Sequence, residues 1–527
     1  MTLLKKVALP LALTLSLSGI AQEQPKTANW QNGKTLGMNT DKAYKKYFSE
    51  KKSKTVIVAV LDSGVDIEHE DLQGAIWVNE DEIPDNGIDD DNNGYIDDVH
   101  GWSFLGNDKG ENVEFDNLEM ARIYGKLKPK YDTLLRGEIP KNELKDYDLY
   151  IEVKDKINEK KETYTEKLAE LKKTYDKIEA SKKFVESNYG KNVTMEELSK
   201  AKFNSEREQT HIVIYMLILK APEAIEQITE AYEYYQEYLD YYINPDYNSR
   251  TIVGDDPEDF TQTSYGNNDV EGPDARHGTH VSGIIAAIRN NGKGINGVAD
   301  NVKIMSVRTV PDGDERDKDV ALAIRYAVDN GAQVINMSFG KGYSPNAKEV
   351  YEAIKYAESK GVLLIHAAGN DAENVDKVPN FPSNHYEFQT QDFTNYLTIG
   401  ASTNNKKMIP ASFSNYGQKY VDVFAPGYKI YATIPDNKYE NLQGTSMAAP
   451  MVTGVAALLK SYYPELTMLE IKEIILLTST DLKSKKVIMP GTEEQKVVFG
   501  ELSTTGGVVN VLEAAKLCEE KVLAKKN

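Results

Sequence analysis

Short apolar runs rich in β-branched residues alternate with amphipathic stretches through much of the chain, and this alternation limits the possible folds more than any other feature. Residues 302–307, 334–338 and 362–367 each read as a strand buried on both faces, and the segments between them, 317–330 and 347–360, carry helical periodicity. Crossovers of that length join parallel strands, so the series predicts a parallel sheet with helices packed on it. Residues 55–61, almost wholly apolar, and residues 421–425 add two strands. A helix from Ser446 to about Tyr462 and another from Gly506 to Cys518 are expected after them. The fold class implied is α/β, with a mostly parallel central sheet.

Sites in open α/β sheets gather at the carboxyl ends of strands. Asp62-Ser63-Gly64 stands at such an end, directly after the strand at 55–61. His277-Gly278-Thr279-His280-Val281-Ser282-Gly283 leads into a helix-like stretch at 284–289. Further on, Gly444-Thr445-Ser446-Met447-Ala448-Ala449-Pro450 is a small-residue turn opening a helix, with Pro450 tolerated near its first turn. Any one of these is unremarkable alone. Together, in the chain order Asp, His, Ser, they resemble the subtilisin-like serine proteases, a family in which that order is a worked example of triad chemistry. The resemblance implies the three-layer fold of that family and a serine endopeptidase.

The chemistry gives each position a role. A serine hydroxyl is protonated at neutral pH, so Ser446 needs a base, and imidazole has the suitable pKa. His277 is the chosen base, with His280, three residues on, as the competing imidazole; the resemblance implies that His280 packs or hydrogen-bonds beneath the site. The Asp62 carboxylate would hold the tautomer of His277 and stabilise its imidazolium. The strand at 362–367 ends in Ala367, Ala368, Gly369 and Asn370. An amide after glycine is commonly an Asx-type turn cap, whereas the resemblance places Asn370 as the donor of an oxyanion hole beside the Ser446 N–H. It also implies that Ser338, Phe339 and Gly340 form an edge that pairs with the substrate backbone, and that Ala367, Ala368 and Gly369 line one wall of a roomy specificity pocket.

Lys5 and Lys6, an apolar stretch at 7–20 and small residues ending at Ala21 follow the pattern of a cleaved secretory signal at 1–21. The stretch is shorter than the ~20 residues that a spanning helix needs, so no stable membrane insertion is expected. Export to the periplasm or the medium follows. The single cysteine, Cys518, excludes an internal disulfide; core size and, as the resemblance implies, bound calcium must supply stability. A net charge of −20 argues against nucleic acid as a partner and suits cations. Protein or peptide substrates are the expected partners.

A cation site is legible between residues 89 and 98. Asp89, Asp91 and Asn93 supply side-chain oxygens, Gly94 occupies the sixth place, Tyr95 offers its carbonyl and Asp97 stands at the ninth. The twelfth place is His100, not glutamate, so the expectation is a Ca2+ loop of another type, completed from elsewhere. The alternative is an acidic Asn-Gly surface turn.

Between Asp62 and His277 lie far more residues than the few dozen typical of the family. The chain is therefore divided into a leader (1–21), a discontinuous catalytic domain (22–105 and 256–527) and an inserted helical module (106–255). Ile157, Tyr164, Leu168, Leu171, Tyr175 and Ile178 form one heptad-like seam, and Ile225, Ile228, Tyr232, Tyr235, Leu239 and Tyr242 another. Gly190, a capping box from Thr194 to Glu197, and Pro222 mark breaks between them. A helical hairpin or small bundle results, its tyrosines serving as internal glue, with a gating or partner-holding role as the functional expectation. The stretch before Asp62 is too short for the folded prodomain that many relatives carry. A scaffold that has lost its chemistry and a narrow processing protease remain as other readings.

Overall fold

Alternation along β1 (Val56–Asp62) divides the core in two. Val56, Val58 and Val60 face one apolar cluster, while Ala59 and Leu61 face another on the opposite side of the sheet. Burying each such valine or leucine contributes roughly 1.5–3 kcal/mol. The computed structural model describes residues 28–34 and 36–526; the expected leader at 1–21 lies outside them.

After β1 come β2 (Gly101–Ser103), β3 (Val302–Arg308), β4 (Val334–Met337), β5 (Leu363–Ala367), β6 (Tyr396–Ser402) and β7 (Val423–Pro426). They are followed by β8 (Ile430–Ile434), β9 (Lys438–Leu442), β10 (Thr480–Asp481), β11 (Lys486–Ile488), β12 (Lys496–Val498) and β13 (Gly507–Val508). Nine strands form the main sheet in the order β10-β13-β7-β6-β5-β4-β1-β3-β2, and β8–β9 and β11–β12 are separate hairpins. Every pairing in the main sheet is parallel except β10 with β13.

A short α1 (Thr40–Ala43) precedes the sheet. Between β2 and β3 the chain forms α2 (Glu119–Tyr131), α3 (Leu144–Tyr189), α4 (Met195–Ser199), α5 (Glu206–Lys220), α6 (Pro222–Glu237) and α7 (Arg250–Val253). The remaining helices are α8 (Arg276–Ala286), α9 (Asp317–Asp329), α10 (Ala347–Ser359), α11 (Thr445–Tyr462), α12 (Met468–Leu477) and α13 (Val511–Lys526). Residues of α8, α11, α12 and α13 pack in the cluster that holds Val58, and those of α9 and α10 in the cluster that holds Leu61. The result is a three-layer α/β/α core.

The segment between β2 and β3 is helical. α3 alone has 46 residues, about 70 Å of helix, and it packs against α2, α5 and α6. Tyr164 stacks on Tyr238 at 3.8 Å and Tyr175 on Tyr232 at 4.0 Å, so the tyrosine seams join helix to helix. Gly190 ends α3. The Thr194 hydroxyl accepts the Glu197 N–H, and the Glu197 carboxylate accepts the Thr194 N–H, opening α4.

Three elements begin elsewhere than the sequence patterns suggest. α8 includes the His277 motif itself and stops at Ala286, because the Ile288 N–H donates to the Asp71 carbonyl and the Ala287 carbonyl accepts from Gly297. β7 starts at Val423, since the Val421 N–H closes a turn onto Gly417. The last helix starts at Val511 rather than Gly506, because Val508 is drawn into the sheet beside Phe424.

Candidate active site

Asp62 ends β1, and His277 and Ser446 lie in the first turns of α8 and α11, two helices that pack together. The His277 Nδ1–H donates to Asp62 Oδ1 at 2.7 Å, and the same oxygen accepts the Ser63 N–H at 2.8 Å. Gly278 permits this approach: a Cβ there would stand 2.1 Å from the Gly64 carbonyl oxygen. Burial pulls the imidazole pKa of His277 down, but the charge and hydrogen bond of Asp62 outweigh it, leaving the group above its ordinary value. His280 is wholly buried, its Nε2–H is 3.0 Å from the Ile430 carbonyl and 3.1 Å from that of Glu440, and burial lowers its pKa to about 3. It is a neutral support beneath the site.

The Ser446 hydroxyl donates to the Ser338 carbonyl at 3.0 Å rather than to the imidazole. Its main chain explains why Ser338 stands there. Pro450 is the sixth residue of α11 and has no N–H for the carbonyl of Ser446, four residues back. The Ser338 hydroxyl fills that gap, donating to the Ser446 carbonyl at 2.9 Å while accepting from Asn336 Nδ2. Pro450 is thus accommodated beyond the first turn by a side chain from β4's end.

Asn370 is oriented from one side. Its Oδ1 accepts both the Thr445 N–H at 2.8 Å and the Thr445 hydroxyl at 3.1 Å, which leaves Nδ2 as the outward donor. The Gly369 N–H donates to the Thr445 hydroxyl at 3.0 Å. The Ser446 N–H lies in the first turn of α11, where helices leave amide donors without an intrahelical acceptor. Asn370 is thereby fixed to the residue that precedes Ser446.

Met337 pairs with His366 across β4 and β5, so Ser338, Phe339 and Gly340 leave the sheet beside Ala367, Ala368 and Gly369. Both segments are held by side chains that the sequence did not flag. The buried His366 hydrogen-bonds the Phe339 carbonyl at 2.7 Å, and burial lowers its pKa to about 4, keeping it neutral. Asn380 Nδ2 donates to the Ala367 carbonyl, and Asn415 Nδ2 to that of Ala368. A histidine inside the apolar run of β5 was the one available signal.

The acidic loop is organised differently from a linear calcium loop. Glu82, Asp91 and Asp98 bring carboxylate oxygens within 4.8 Å of one another, and Asn79 and Asn93 each reach both Asp91 and Asp98. Of the five expected ligands, Asp91 belongs to this group and Asn93 adjoins it. Asp89 caps the N–H groups of Asn93 and Gly94, Asp97 accepts those of Asn86 and Gly87, and the Tyr95 ring packs against Trp102 and Tyr326. Burial pushes the Asp98 pKa up to about 6. Clustered hard oxygens with that electrostatic strain fit a cation of the calcium class.

The family model described as "Subtilase family" matches residues 53–492. A thermophilic serine proteinase from Bacillus sp. (strain AK1) is 40% identical over 221 residues, covering 42% of this chain and 49% of that protein. Thermitase from Thermoactinomyces vulgaris is 40% identical over 186 residues, covering 35% of this chain and 61% of that protein. The chain thus spans about half the length of the first and under two thirds of the second. Among solved structures, a protease from Pseudoalteromonas arctica PAMC 21717 is 30% identical, with a TM-score of 0.38 over 48% of this chain and 78% of that one.

Proposed function

The chain belongs to the subtilase family, and from that premise we propose that it is an exported serine endopeptidase acting on protein or peptide substrates. The observation that carries the reading is the 2.7 Å contact of His277 with Asp62, at the mouth of the helix pair that presents Ser446. Turning its hydroxyl from the Ser338 carbonyl to His277 Nε2 makes Ser446 the nucleophile; it attacks the scissile carbonyl as the imidazole takes its proton. Asn370 Nδ2 and the Ser446 N–H stabilise the oxyanion. His277 returns the proton to the leaving amine, forming an acyl-enzyme that water then hydrolyses.

Ser338, Phe339 and Gly340 pair with the substrate backbone, and Ala367, Ala368 and Gly369 wall the pocket for its side chain. The leader pattern at 1–21 supports export. No helix of the described residues is long and apolar enough to cross a membrane. Glu82, Asp91 and Asp98 would hold Ca2+, which would supply positive charge where carboxylates crowd and so support the loop before β2. Cleavage of a peptide library tests the reading: the unmodified protein cuts internal bonds, and Ser446→Ala does not. Equal cleavage by both would overturn it.

A further inference from the structure

The residue that follows the proposed substrate segment is tied to the root of the helical module. Lys341 is buried; its ammonium donates to the Glu119 carboxylate at 2.8 Å and the Glu315 carbonyl at 2.8 Å, and lies 2.9 Å from Asp317. Glu119 is the first residue of α2. One turn on, Arg122 donates to Glu119 at 2.6 Å and to the carbonyls of Asp314 and Glu315. Arg316 donates to both oxygens of Asp116. Arg122, Arg316 and Lys341 thus meet the carboxylates of Asp116, Glu119 and Asp317, and Asp314, which accepts the Glu119 N–H, lies beside them. Burial pushes the Glu315 carboxyl up to about 8.

A second tie lies two residues beyond. The Tyr343 hydroxyl donates to Glu152 of α3 at 2.7 Å and accepts from Lys156 at 2.8 Å, and the ring packs on the module's apolar cluster of Met120, Ile123, Val153 and Ile157. On the core side, the Lys341 N–H and carbonyl both pair with Phe381. The segment is gripped from both flanks.

We propose that the inserted module is a fixed buttress: through Glu119–Lys341 and Tyr343 it holds Ser338, Phe339 and Gly340 in the register in which they pair with extended substrates. Glu119, Lys341 and Tyr343 are positioning residues. A module that swung as a gate would pull Glu119 from Lys341 and Asp116 from Arg316, breaking ion pairs in a buried setting, which is strongly unfavourable. Fixing the edge beforehand removes its ordering cost from substrate binding. The proposal rests on the peptidase reading and deepens it.

The consequence is a dependence on substrate length. A single-residue ester needs only Ser446, the oxyanion donors and the pocket, whereas an extended peptide also needs the edge. The test compares Glu119→Gln, Lys341→Met, the double variant and the milder Tyr343→Phe in the full chain. kcat and KM are measured for an ester and for a long peptide, with fluorophosphonate labelling of Ser446 alongside. Each single variant of the ion pair is expected to raise KM for the peptide about tenfold, leaving ester turnover and labelling unchanged. The double variant costs less than the two single effects added together, because the Glu119–Lys341 contact is lost only once, and Tyr343→Phe gives a smaller rise in the same direction. Labelled variants that lose ester and peptide activity in parallel, or keep the peptide KM, overturn the buttress alone. Absence of labelling in the unmodified protein overturns the peptidase reading and the buttress with it.

Discussion

Replacing Thr445 with valine removes a hydroxyl while keeping the shape of a wholly buried side chain. Two hydrogen bonds go: the one donated to Asn370 Oδ1 at 3.1 Å and the one accepted from the Gly369 N–H at 3.0 Å. At about 1 kcal/mol net for each, the fold loses roughly 2 kcal/mol. The Asn370 amide keeps its other tether, the Thr445 N–H at 2.8 Å. Losing about 1 kcal/mol of orientation corresponds to about fivefold in kcat. The ceiling is the removal of the donor itself, Asn370→Ala, at about 10²–10³ in kcat, a magnitude that comes from subtilisin, a member of this family. KM should hold in both variants, because the amide engages the oxyanion and not the ground-state carbonyl. Steady-state kinetics on a short peptide check this, with the double variant closing the cycle. Thr445→Val should add nothing once Asn370 is alanine. A full fivefold loss in that background, or an unchanged kcat in the single variant, would refute the reasoning.

The Asp62 carboxylate raises the His277 pKa against the opposing effect of burial, so the acid limb of kcat/KM should lie above 6.5. Asp62→Asn should move the limb to lower pH and cut kcat by about 10⁴; a limb that stays put would contradict the assignment. The same raised pKa stabilises the fold fully below the unfolded value, and that contribution is lost as pH rises through the folded value. For the acidic loop, a hundredfold excess of Ca2+ over its Kd should raise Tm by about 2–4 °C, and Asp91→Asn with Asp98→Asn should abolish the response. Ser338→Ala strands the Ser446 carbonyl that Pro450 cannot serve, so denaturant unfolding should show a loss of about 1–3 kcal/mol; an unaltered midpoint would contradict that role.

Much of the core was readable because period-two burial and apolar crossovers are local properties. Val56, Val58 and Val60 on one face and Leu61 on the other are visible in the run itself. β6 went unread although its seven residues are all buried, and so did β2, β10 and β13, since strands of two or three residues are recruited by register with a neighbour and carry no pattern of their own. Asp62, His277 and Ser446 stood out through their motifs, whereas Asn380, Asn415 and His366 act through carbonyls that no motif points to. The acidic loop shows the limit of spacing arguments. Glu82 precedes the run and Asp98 follows the ninth place, yet the chain folds both onto Asp91, while Asp97 turns to cap Asn86 and Gly87. In the module, helix type and breaks were legible, but the 46-residue length of α3 exceeds the seam that announced it, because its first turns pack on α2 rather than on the second seam.

The most direct measurement is the rate and location of fluorophosphonate attachment in the unmodified protein and in His277→Ala, read by intact mass and peptide mapping. Stoichiometric attachment at Ser446, nearly abolished when the imidazole is removed, is the predicted result. Attachment at another residue, or at Ser446 with undiminished rate in His277→Ala, would contradict the account.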